Sequence, residues 1–419
     1  MRKYKVAIVL FWTFIVSSIK LELKVEAQSL FSEEEIQAKL KLLNKPAVKT
    51  IKSEDGDIID CINIYKQSAF DHPALKNHTI QRTPMFFQES QYLSTKYDSE
   101  ANIKVFQTWQ KRGSCPKGTI PLRRILKNDL MRAASLNRFG LKSPTLFLNS
   151  TNTYLNSINL NGSYAVVPQS RSGAHLAASG SSYIGTQANI NVWNPKIELP
   201  NDFTTSQIWL KAPNGFDFES IEAGWMVNPE FYGNNDTRFF SYWTKDSYRS
   251  TGCFDLTCSG FVQTATNVAL GATIKPISST SGQQFEFNVG IFLDESGNWW
   301  LKVNNNIPIG YWPGELFETL KHSATLVQWG GEVFSPQVKI SPHTGTQMGS
   351  GDFAEGGFGH ACFIRNIRIK DYSLMLKYPE SINAATQEPS CYNVLNDVQS
   401  GQDPTFYFGG PGRTPPNCP

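Results

Sequence analysis

The stretch QQFEFNVGIFLDESGNWWLKVNNN, residues 283–306, decides the fold class of this chain. It contains two runs rich in aromatic and β-branched residues, separated by the tetrapeptide ESGN at residues 295–298. Gly and Asn accept the backbone angles of a tight turn, so two such runs around this tetrapeptide predict a β-hairpin. The predicted hairpin comprises residues 287–303.

Comparable short runs continue on both sides of this hairpin. Each ends at Gly, Pro, Asn or Asp, and no long helical period interrupts them. Examples are ANINVWNP (188–195), SQIWLKAPNG (206–215), IEAGWMVNP (221–229), RFFSYWT (238–244) and GHACFIRNIRIKD (359–371). The pattern predicts an all-β fold for residues 163–419, an antiparallel β-sandwich of two packed sheets.

Composition and charge exclude two classes of protein. With 419 residues, 40% hydrophobic and 18% charged, the chain is not wholly disordered. The net charge of +3 hides an asymmetry, because residues 28–148 carry 19 Lys and Arg against 12 Asp and Glu, whereas residues 149–419 carry 15 against 22. A nucleic-acid-binding protein usually concentrates positive charge on its main folded body. The acidic main body therefore argues against a nucleic-acid partner.

The N-terminus has the features of a secretory signal. Arg2, Lys3 and Lys5 precede an apolar run at residues 6–19, and Val25-Glu26-Ala27 resembles a cleavage site. The alternatives are a buried helix and a membrane anchor, but the run is short for a membrane span and no second one follows. We predict a signal peptide at residues 1–27 and a secreted, extracellular protein, in an acidic compartment or the cell wall, with no membrane contact after signal removal.

Residues 28–148 are predicted to form a smaller mixed α/β domain. Residues 32–45 predict a short helix, with Ser32 as N-cap and acidic residues in the first turn. From Lys104 to Lys142 there are ten Lys or Arg and one acidic residue. This basic stretch is either a solvated linker or a strap docked on the acidic domain that follows. Residues 149–162 are almost entirely polar and predict an exposed linker and processing region.

Seven cysteines in a secreted chain suggest three disulfides and one remaining thiol. Their spacing favours local pairs, but six cysteines allow 15 pairings. The cysteines are Cys61, Cys115, Cys253, Cys258, Cys362, Cys391 and Cys418. Four sequons predict N-glycosylation, at Asn77, Asn149, Asn161 and Asn235.

Metal, serine and nucleotide chemistry have no support in the sequence. None of the six histidines has zinc-ligand spacing, and none accompanies a G-x-S-x-G motif. The glycines at residues 349–351 imitate a dinucleotide fingerprint but follow no strand that leads into a helix. We therefore predict no metal and no cofactor, and carboxylates remain as the candidates for chemistry.

Two glutamates are distinguished by strand alternation. If residues 220–227 form a strand, Glu222 lies opposite the large apolar side chains and beside Gly224. The same alternation in residues 328–334 places Glu332 beside Gly330. Glycine within a strand often marks close approach by a backbone or a ligand, so the two strands could form the floor of a cleft. The alternative is that both are ordinary glutamates facing solvent.

Long motifs in this chain resemble the plant neprosin family, over nearly all of the sequence after the signal. The strings are IDCINIYKQSAFDHPALKNHTIQ (59–81), CPKGTIPLRR (115–124), NINVWNP (189–195), IEAGWMVNPEFYGNNDTRFFSYWT (221–244), TGCFDLTCSGFVQ (251–263), QWGGEVFS (328–335), QMGSGDFAEGGFG (347–359) and FYFGGPGR (406–413).

The resemblance implies an activation peptide, here residues 28–148, before a β-sandwich neprosin domain at residues 163–419. It implies a secreted glutamic endopeptidase that cuts after proline at acidic pH, with catalytic glutamates at Glu222 and Glu332. It also implies the disulfides Cys61–Cys115, Cys253–Cys258 and Cys391–Cys418. Cys362 departs from the family pattern.

Hydrolysis by a carboxylate pair needs one ionised and one protonated group, which two nearby carboxyls provide in acid. Gln207, Trp225, Gln328 and Tyr242 are candidate neighbours, each equally suited to packing or surface roles. The expected partners are proline-containing peptides or proteins and the chain's own pro-domain as an intramolecular inhibitor. Alternatives are a secreted glycoside hydrolase using two glutamates and a non-catalytic cell-wall or carbohydrate-binding β-sandwich.

Overall fold

The structure is a computed structural model that describes residues 31–86, 106–143, 170–304, 307–398 and 403–419. The predicted signal peptide and linker, with Asn149 and Asn161, lie outside these residues.

The N-terminal region combines short helices with a small antiparallel sheet. Its elements are α1 (Glu33–Leu43), β1 (Ala47–Lys52), β2 (Ile58–Asn63), β3 (Phe106–Gln107), β4 (Thr119–Arg123) and α2 (Lys127–Arg132), with 3-10 turns at Ile64–Lys66, Ser68–Asp71, Pro73–Leu75 and Thr108–Arg112. Helix α1 confirms the helix predicted at residues 32–45, since Ser32 and Glu35 form a reciprocal capping box at its start. Strands β1, β2 and β4 form a three-stranded sheet in the order β1-β2-β4.

In the described residues from 170 onward, nearly all of the regular secondary structure is β-strand. Its elements are β5 (Arg171–Asn191), β6 (Phe203–Asn214), β7 (Asp217–Val227), α3 (Pro229–Tyr232), β8 (Arg238–Thr244), β9 (Val262–Gln263), β10 (Ile274–Lys275), β11 (Glu286–Leu293), β12 (Trp299–Val303), β13 (Ile307–Trp312), β14 (Ala324–Phe334), β15 (Cys362–Asp371), β16 (Leu376–Lys377), β17 (Asn383–Thr386), β18 (Asn393–Asp397) and β19 (Thr405–Gly409), with 3-10 turns at Gly314–Leu316 and Ala354–Gly356. The predicted hairpin is confirmed as β11 and β12, whose register pairs Leu293 with Trp299.

The long strand β5 connects two antiparallel layers. Its first part, residues 171–179, pairs with β14, which continues through β6 and β7 to β8. Its second part, residues 185–191, pairs with β11 on one side and β15 on the other. Since β5 belongs to both layers, one continuous sheet folds over itself, which agrees with the predicted antiparallel all-β fold.

Buried tryptophans fill the space between the layers. Trp225 of β7 donates its indole N–H to the carbonyl of Asn191 at 2.8 Å, and Trp329 of β14 donates to the Thr186 hydroxyl at 3.1 Å. Both indoles are fully buried and both acceptors lie in the second part of β5. Because each indole N–H has an acceptor, these large rings add apolar burial without leaving an unpaired polar group.

The structure contains three disulfides, Cys61–Cys115, Cys253–Cys258 and Cys391–Cys418, which are the pairs that the family resemblance implies. Cys362 is a buried free thiol, and burial raises its pKa well above the usual range. Asn77 and Asn235 are exposed, as glycosylation requires. No helix among the described residues is both long enough and apolar enough to cross a membrane.

The basic stretch is docked on the β-domain, although most of its described Lys and Arg residues remain exposed. Strand β3 pairs with β10, and the ring of Trp109 is buried. A buried ion pair also crosses the boundary, where Arg238 of β8 donates to Asp57 at 2.6 Å. The guanidinium of Arg123 contacts the same carboxylate at 3.3 Å and the Tyr232 carbonyl at 3.1 Å. These contacts hold the N-terminal region on one end of the sheet.

Candidate active site

Strand register places Glu222 and Glu332 on one face of the sheet. Glu222 of β7 lies opposite Trp209 of β6, and Glu332 of β14 lies opposite Thr205 of the same strand. Trp209 and Thr205 are four residues apart, and side chains alternate with a period of two, so both point to the same side. The alternation expected from sequence is therefore present, with β6 lying between the two glutamates.

The glycines beside the glutamates allow the neighbouring strands to pack closely. A Cβ on Gly224 would lie 2.1 Å from the carbonyl oxygen of Ser206, and one on Gly330 would lie 2.3 Å from that of Ala174. Both distances are to backbone atoms of the neighbouring strand, which cannot move aside without breaking the ladder. Of the two explanations for glycine here, backbone approach rather than ligand approach applies.

Lys142 of the N-terminal region lies between the two carboxylates. Its ammonium nitrogen is 2.5 Å from Glu222 Oε2 and 3.4 Å from Glu332 Oε1. The side chains of Lys142 and Glu222 have no exposed surface, and that of Glu332 is 14% exposed. The glutamates are therefore largely buried in this form of the protein, and a cation from the N-terminal region contacts both of them.

Glu222 also accepts hydrogen bonds from three neutral side chains. Gln207 donates its amide N–H at 2.7 Å, Tyr248 its hydroxyl at 2.5 Å and Ser220 its hydroxyl at 3.0 Å. Burial by itself would raise the pKa of Glu222, but Lys142, Lys211 and the Tyr248 hydroxyl outweigh burial and lower the pKa to about 2. Glu222 is thus held as a buried carboxylate while Lys142 remains in place.

Glu332 has a cation partner of its own from the β-domain. Arg171, the first residue of β5, donates Nη1 to the two carboxylate oxygens at 3.2 and 3.4 Å. Burial would raise the pKa of Glu332, but Arg171 and then Lys142 lower it below the usual range, despite the opposing charge of Glu222. The two glutamates thus differ, because only Glu332 has a direct cation contact from within the β-domain.

Backbone contacts hold the segment that carries Lys142. Phe254 donates its N–H to the Gly140 carbonyl at 2.8 Å, and the Lys142 N–H donates to the Tyr242 hydroxyl at 3.0 Å. Gly140 has φ +84°, and a Cβ there would lie 2.2 Å from the Thr257 hydroxyl oxygen. Glycine is required at this position by both its backbone conformation and its close approach to the β-domain.

Three aromatic rings surround the Lys142 ammonium. Its nitrogen lies 5.2 Å from the ring centres of Tyr242 and Tyr248 and 6.0 Å from that of Phe254. Faces of aromatic rings attract a cation within about 6 Å. Removal of Lys142 would leave a space lined by aromatic rings directly beside Glu222.

The neighbours suggested by sequence have different roles. Gln207 and Tyr242 belong to the site through their hydrogen bonds with Glu222 and Lys142. Trp225 faces the core between the layers, and Gln328 is on the site face but hydrogen-bonds His175 at 2.6 Å. Burial and then Lys211 lower the pKa of His175 to about 4.

Sequence reasoning missed Lys142, Arg171 and Tyr248 as site residues. Lys142 was included in the basic stretch, but only as one of ten similar charges. Arg171 precedes the predicted strands, and Tyr248 follows strand β8 in a tight turn. No local motif connects these residues to a glutamate, and only the tertiary fold brings them together.

Two family models match this chain. One described as Neprosin matches residues 200–411, and one described as Neprosin activation peptide matches residues 50–168. The first includes Glu222 and Glu332, and the second includes Lys142.

Solved structures give weaker likenesses. A crystal structure of scytalido-glutamic peptidase with a peptide-based transition state analog is 8% identical, with 57% of this chain and 97% of that chain covered and a TM-score of 0.30. SCP-B, a member of the eqolisin family of peptidases in a complex with a tripeptide, is 6% identical, with 57% and 97% covered and a TM-score of 0.28. A beta-porphyranase from the human gut bacterium Bacteroides plebeius is 7% identical, with 38% and 53% covered and a TM-score of 0.20. TM-scores this low do not establish a common fold.

Proposed function

This chain belongs to the neprosin family, with the family's activation peptide before its neprosin domain, and on that premise we propose that it is a secreted glutamic endopeptidase made as a zymogen. The proposed enzyme hydrolyses peptide bonds on the C-terminal side of proline at acidic pH, using Glu222 and Glu332. One observation carries the proposal: two buried carboxylates converge on a single ammonium group supplied by the activation peptide.

Two carboxyls in this position can divide the work of hydrolysis. After Lys142 leaves, Glu222 and Glu332 face each other without the cation that now separates them. Two like charges at short range cannot both ionise easily, so the pair retains one proton over an acidic range of pH. The ionised member can take a proton from the attacking water, and the protonated member can give one to the leaving nitrogen.

The surroundings favour Glu332 as the base. Arg171 contacts Glu332 from within the β-domain and would continue to stabilise its ionised form after activation. Glu222 would retain Gln207, Tyr248 and Ser220 as neutral hydrogen-bond partners, with Lys211 acting through space. Loss of Lys142 therefore raises the pKa of Glu222 more than that of Glu332, which suits Glu222 to be the acid.

Lys142 accounts for the latency of the zymogen. It places a positive charge where the reaction needs water and a peptide, and its two contacts hold both glutamates ionised. A carboxylate pair with no proton to give lacks a general acid. The activation peptide therefore blocks both the space and the chemistry of the site.

The aromatic space around Lys142 supports the choice of proline. Tyr242, Tyr248 and Phe254 present ring faces or edges beside Glu222. A proline ring is compact and apolar, and it loses little conformational freedom when it is bound. We assign this space to the side chain on the N-terminal side of the cut.

The test is direct cleavage of peptides. The purified full-length chain is incubated at pH 3–4 with peptides that differ only in having Pro or Ala at one position, and the products are identified by mass spectrometry. We expect cuts after Pro and none after Ala. Glu332→Gln should abolish the cuts, whereas Glu286→Gln, which removes a glutamate paired with Arg365 on the same domain, should not. The absence of any cut by the wild-type chain, or cuts that persist in Glu332→Gln, would refute the proposal.

A further inference from the structure

Arg171 is a buried arginine with two separate hydrogen-bonding tasks. Its guanidinium carbon lies 4.7 Å from the ring centre of Tyr248 and 5.9 Å from that of Phe334, so two rings fix its orientation. Nη1 donates to Glu332, and Nη2 donates to the main-chain carbonyl of Ser143 at 3.0 Å. The first task belongs to the β-domain, and the second binds the activation peptide.

The Ser143 carbonyl, which accepts the hydrogen bond from Nη2, leaves when the activation peptide is removed. Ser143 directly follows Lys142, so the carbonyl that Nη2 holds is part of the chain that occupies the site. Nε of Arg171 is already buried with no hydrogen-bond partner among the described residues. Without Ser143, a second N–H of the same guanidinium would lose its acceptor, and an unpaired buried donor of a charged group is costly.

The same segment contacts the β-domain through its main chain at other points. The Gly140 carbonyl accepts a hydrogen bond from the Phe254 N–H, and the Lys142 N–H donates one to the Tyr242 hydroxyl. The contact at Gly140 requires glycine, whereas those of the Lys142 N–H and the Ser143 carbonyl do not depend on side-chain identity. Another peptide could therefore make these last two contacts along the same path.

We propose that Arg171 binds a main-chain carbonyl of the substrate, in the place that Ser143 occupies in the zymogen, and at the same time positions Glu332. This inference rests on the proposed function, since it assumes that a peptide enters where the activation peptide leaves. Arg171 is thus a substrate-binding residue toward the peptide and a positioning residue toward Glu332. One planar guanidinium can do both because its nitrogens point in fixed, different directions.

Several charged and titratable groups act on Glu332 besides Arg171. Lys142 and Lys211 stabilise its ionised form, and Glu222 opposes it. His175, Tyr248 and Lys339 also interact with its charge. Lys142 leaves on activation, and the others remain. Arg171 is the largest of the stabilising influences, so its loss should raise the pKa of Glu332 in the active enzyme.

The experiment measures kcat, KM and the pH profile of acid-activated full-length protein on one proline-containing peptide. Arg171→Gln should raise KM roughly 10- to 100-fold, the range expected for a hydrogen bond from a charged group. It should also move the acidic limb of the kcat profile to higher pH, because the pKa of the base, Glu332, is then raised. Arg171→Lys should leave that limb near its original pH, because the positive charge beside Glu332 is retained. It should still raise KM, since an ammonium cannot reproduce the planar arrangement of guanidinium N–H donors. Arg365→Gln, which breaks a more exposed pair with Glu286, should stay within about twofold of wild type.

The outcomes for the Arg171 variants separate its two proposed roles. An unchanged KM in folded Arg171→Gln overturns substrate binding, and an unmoved acidic limb overturns the positioning of Glu332. If Arg171→Gln is not secreted, Arg171→Lys decides alone, and an unchanged KM in that variant overturns the proposal. The absence of cleavage by the wild-type protein at any pH would instead overturn the proposed peptidase function, and the role of Arg171 with it.

Discussion

Glu222 and Glu332 are chemically equivalent side chains in different surroundings. Neutral donors surround Glu222 apart from Lys142, whereas Glu332 has Arg171 within hydrogen-bonding distance. Surroundings that push two pKa values apart are what separates a general acid from a general base. In the proposed mechanism both groups are therefore needed, and neither can replace the other.

The amide variants Glu222→Gln and Glu332→Gln should each lose peptide cleavage while the fold is retained. Loss of a general acid or base costs roughly 10²–10⁴-fold in rate, and Gln is nearly isosteric with Glu. Cleavage rates at the optimum pH and far-ultraviolet circular dichroism measure the two effects. A rate above about a hundredth of wild type in either variant would remove that residue from the mechanism.

Lys142→Met should weaken the latency of the zymogen. The substitution keeps a long apolar side chain but leaves two buried carboxylates without the shared cation, and breaking a buried pair typically costs about 3–5 kcal/mol. We expect peptide cleavage to begin sooner after a shift from pH 7 to pH 5. Lys127→Met is the matched control, because Lys127 pairs with Glu33 at the surface of the same region. Equal lag times for the two variants would mean that Lys142 does not maintain latency.

The sequence predicts some of these residues and not others, for a physical reason. Glu222 and Glu332 stand in strands whose alternation is visible locally, and both lie in family motifs. Lys142 contacts Glu222 across 80 positions of sequence. Its role depends on which face of a distant sheet the activation peptide covers, and no local pattern carries that information.

Among the elements, β7, β6 and β14 form the floor of the site. The hairpin of β11 and β12 was predictable because its turn lies within one short stretch. The pairing of β6 with β14 was not predictable, since β14 begins more than one hundred positions after β6 ends. The structure also decides between the two explanations for Gly224 and Gly330, which admit the neighbouring strand rather than a ligand.

The loop closed by Cys253–Cys258 is expected to act on docking more than on stability. Its sequence separation is 5, and a loop so short should contribute about 2 kcal/mol in the chain-entropy estimate. The double variant Cys253→Ser/Cys258→Ser should therefore lower the Tm of the protein by roughly 4–8 °C. It should also shorten the activation lag, because this loop carries the Phe254 N–H that holds the Gly140 carbonyl.

The matched control for that loop is Cys391→Ser/Cys418→Ser. This disulfide closes a longer loop, with a sequence separation of 27, and that loop carries neither the Phe254 N–H nor the Tyr242 hydroxyl that hold the Lys142 segment. It should lower the Tm more than the first double variant and leave the lag unchanged. The opposite order of Tm losses, or an equal change in lag, would contradict the assignment of a docking role to the short loop.

Across the whole molecule, opposite charge and specific burial act together. The surplus of +7 on residues 28–148 faces −7 on residues 149–419. The structure adds specific contacts, since Asp57 pairs with Arg238 and Lys142 with Glu222 at the boundary, all four largely buried. The direction of the charge asymmetry was predictable from composition, but the individual pairs were not, since Lys142–Glu222 follows the asymmetry and Asp57–Arg238 runs against it.

The last prediction is that acid releases the activation peptide. The pKa of Glu222 is lowered from 4.5 to about 2 with Lys142 in place, so the ionised form stabilises docking. That stabilisation is fully present above pH 4.5 and is lost as the pH falls toward 2. The full-length chain is held at pH 7 and at pH 3–4, and its N-terminus is sequenced over time. We expect an intact chain at pH 7 and, in acid, a cut within residues 149–162 that leaves a mature domain beginning near Asn161–Ser163. Because residues 149–162 contain no proline, a cut that persists in Glu332→Gln would show that another protease makes it, and a cut that is lost in Glu332→Gln would show that the chain also cleaves at sites other than proline. A chain that stays intact at both pH values, or is active at pH 7 before any cut, would refute acid release, because docking would then not depend on ionised glutamates.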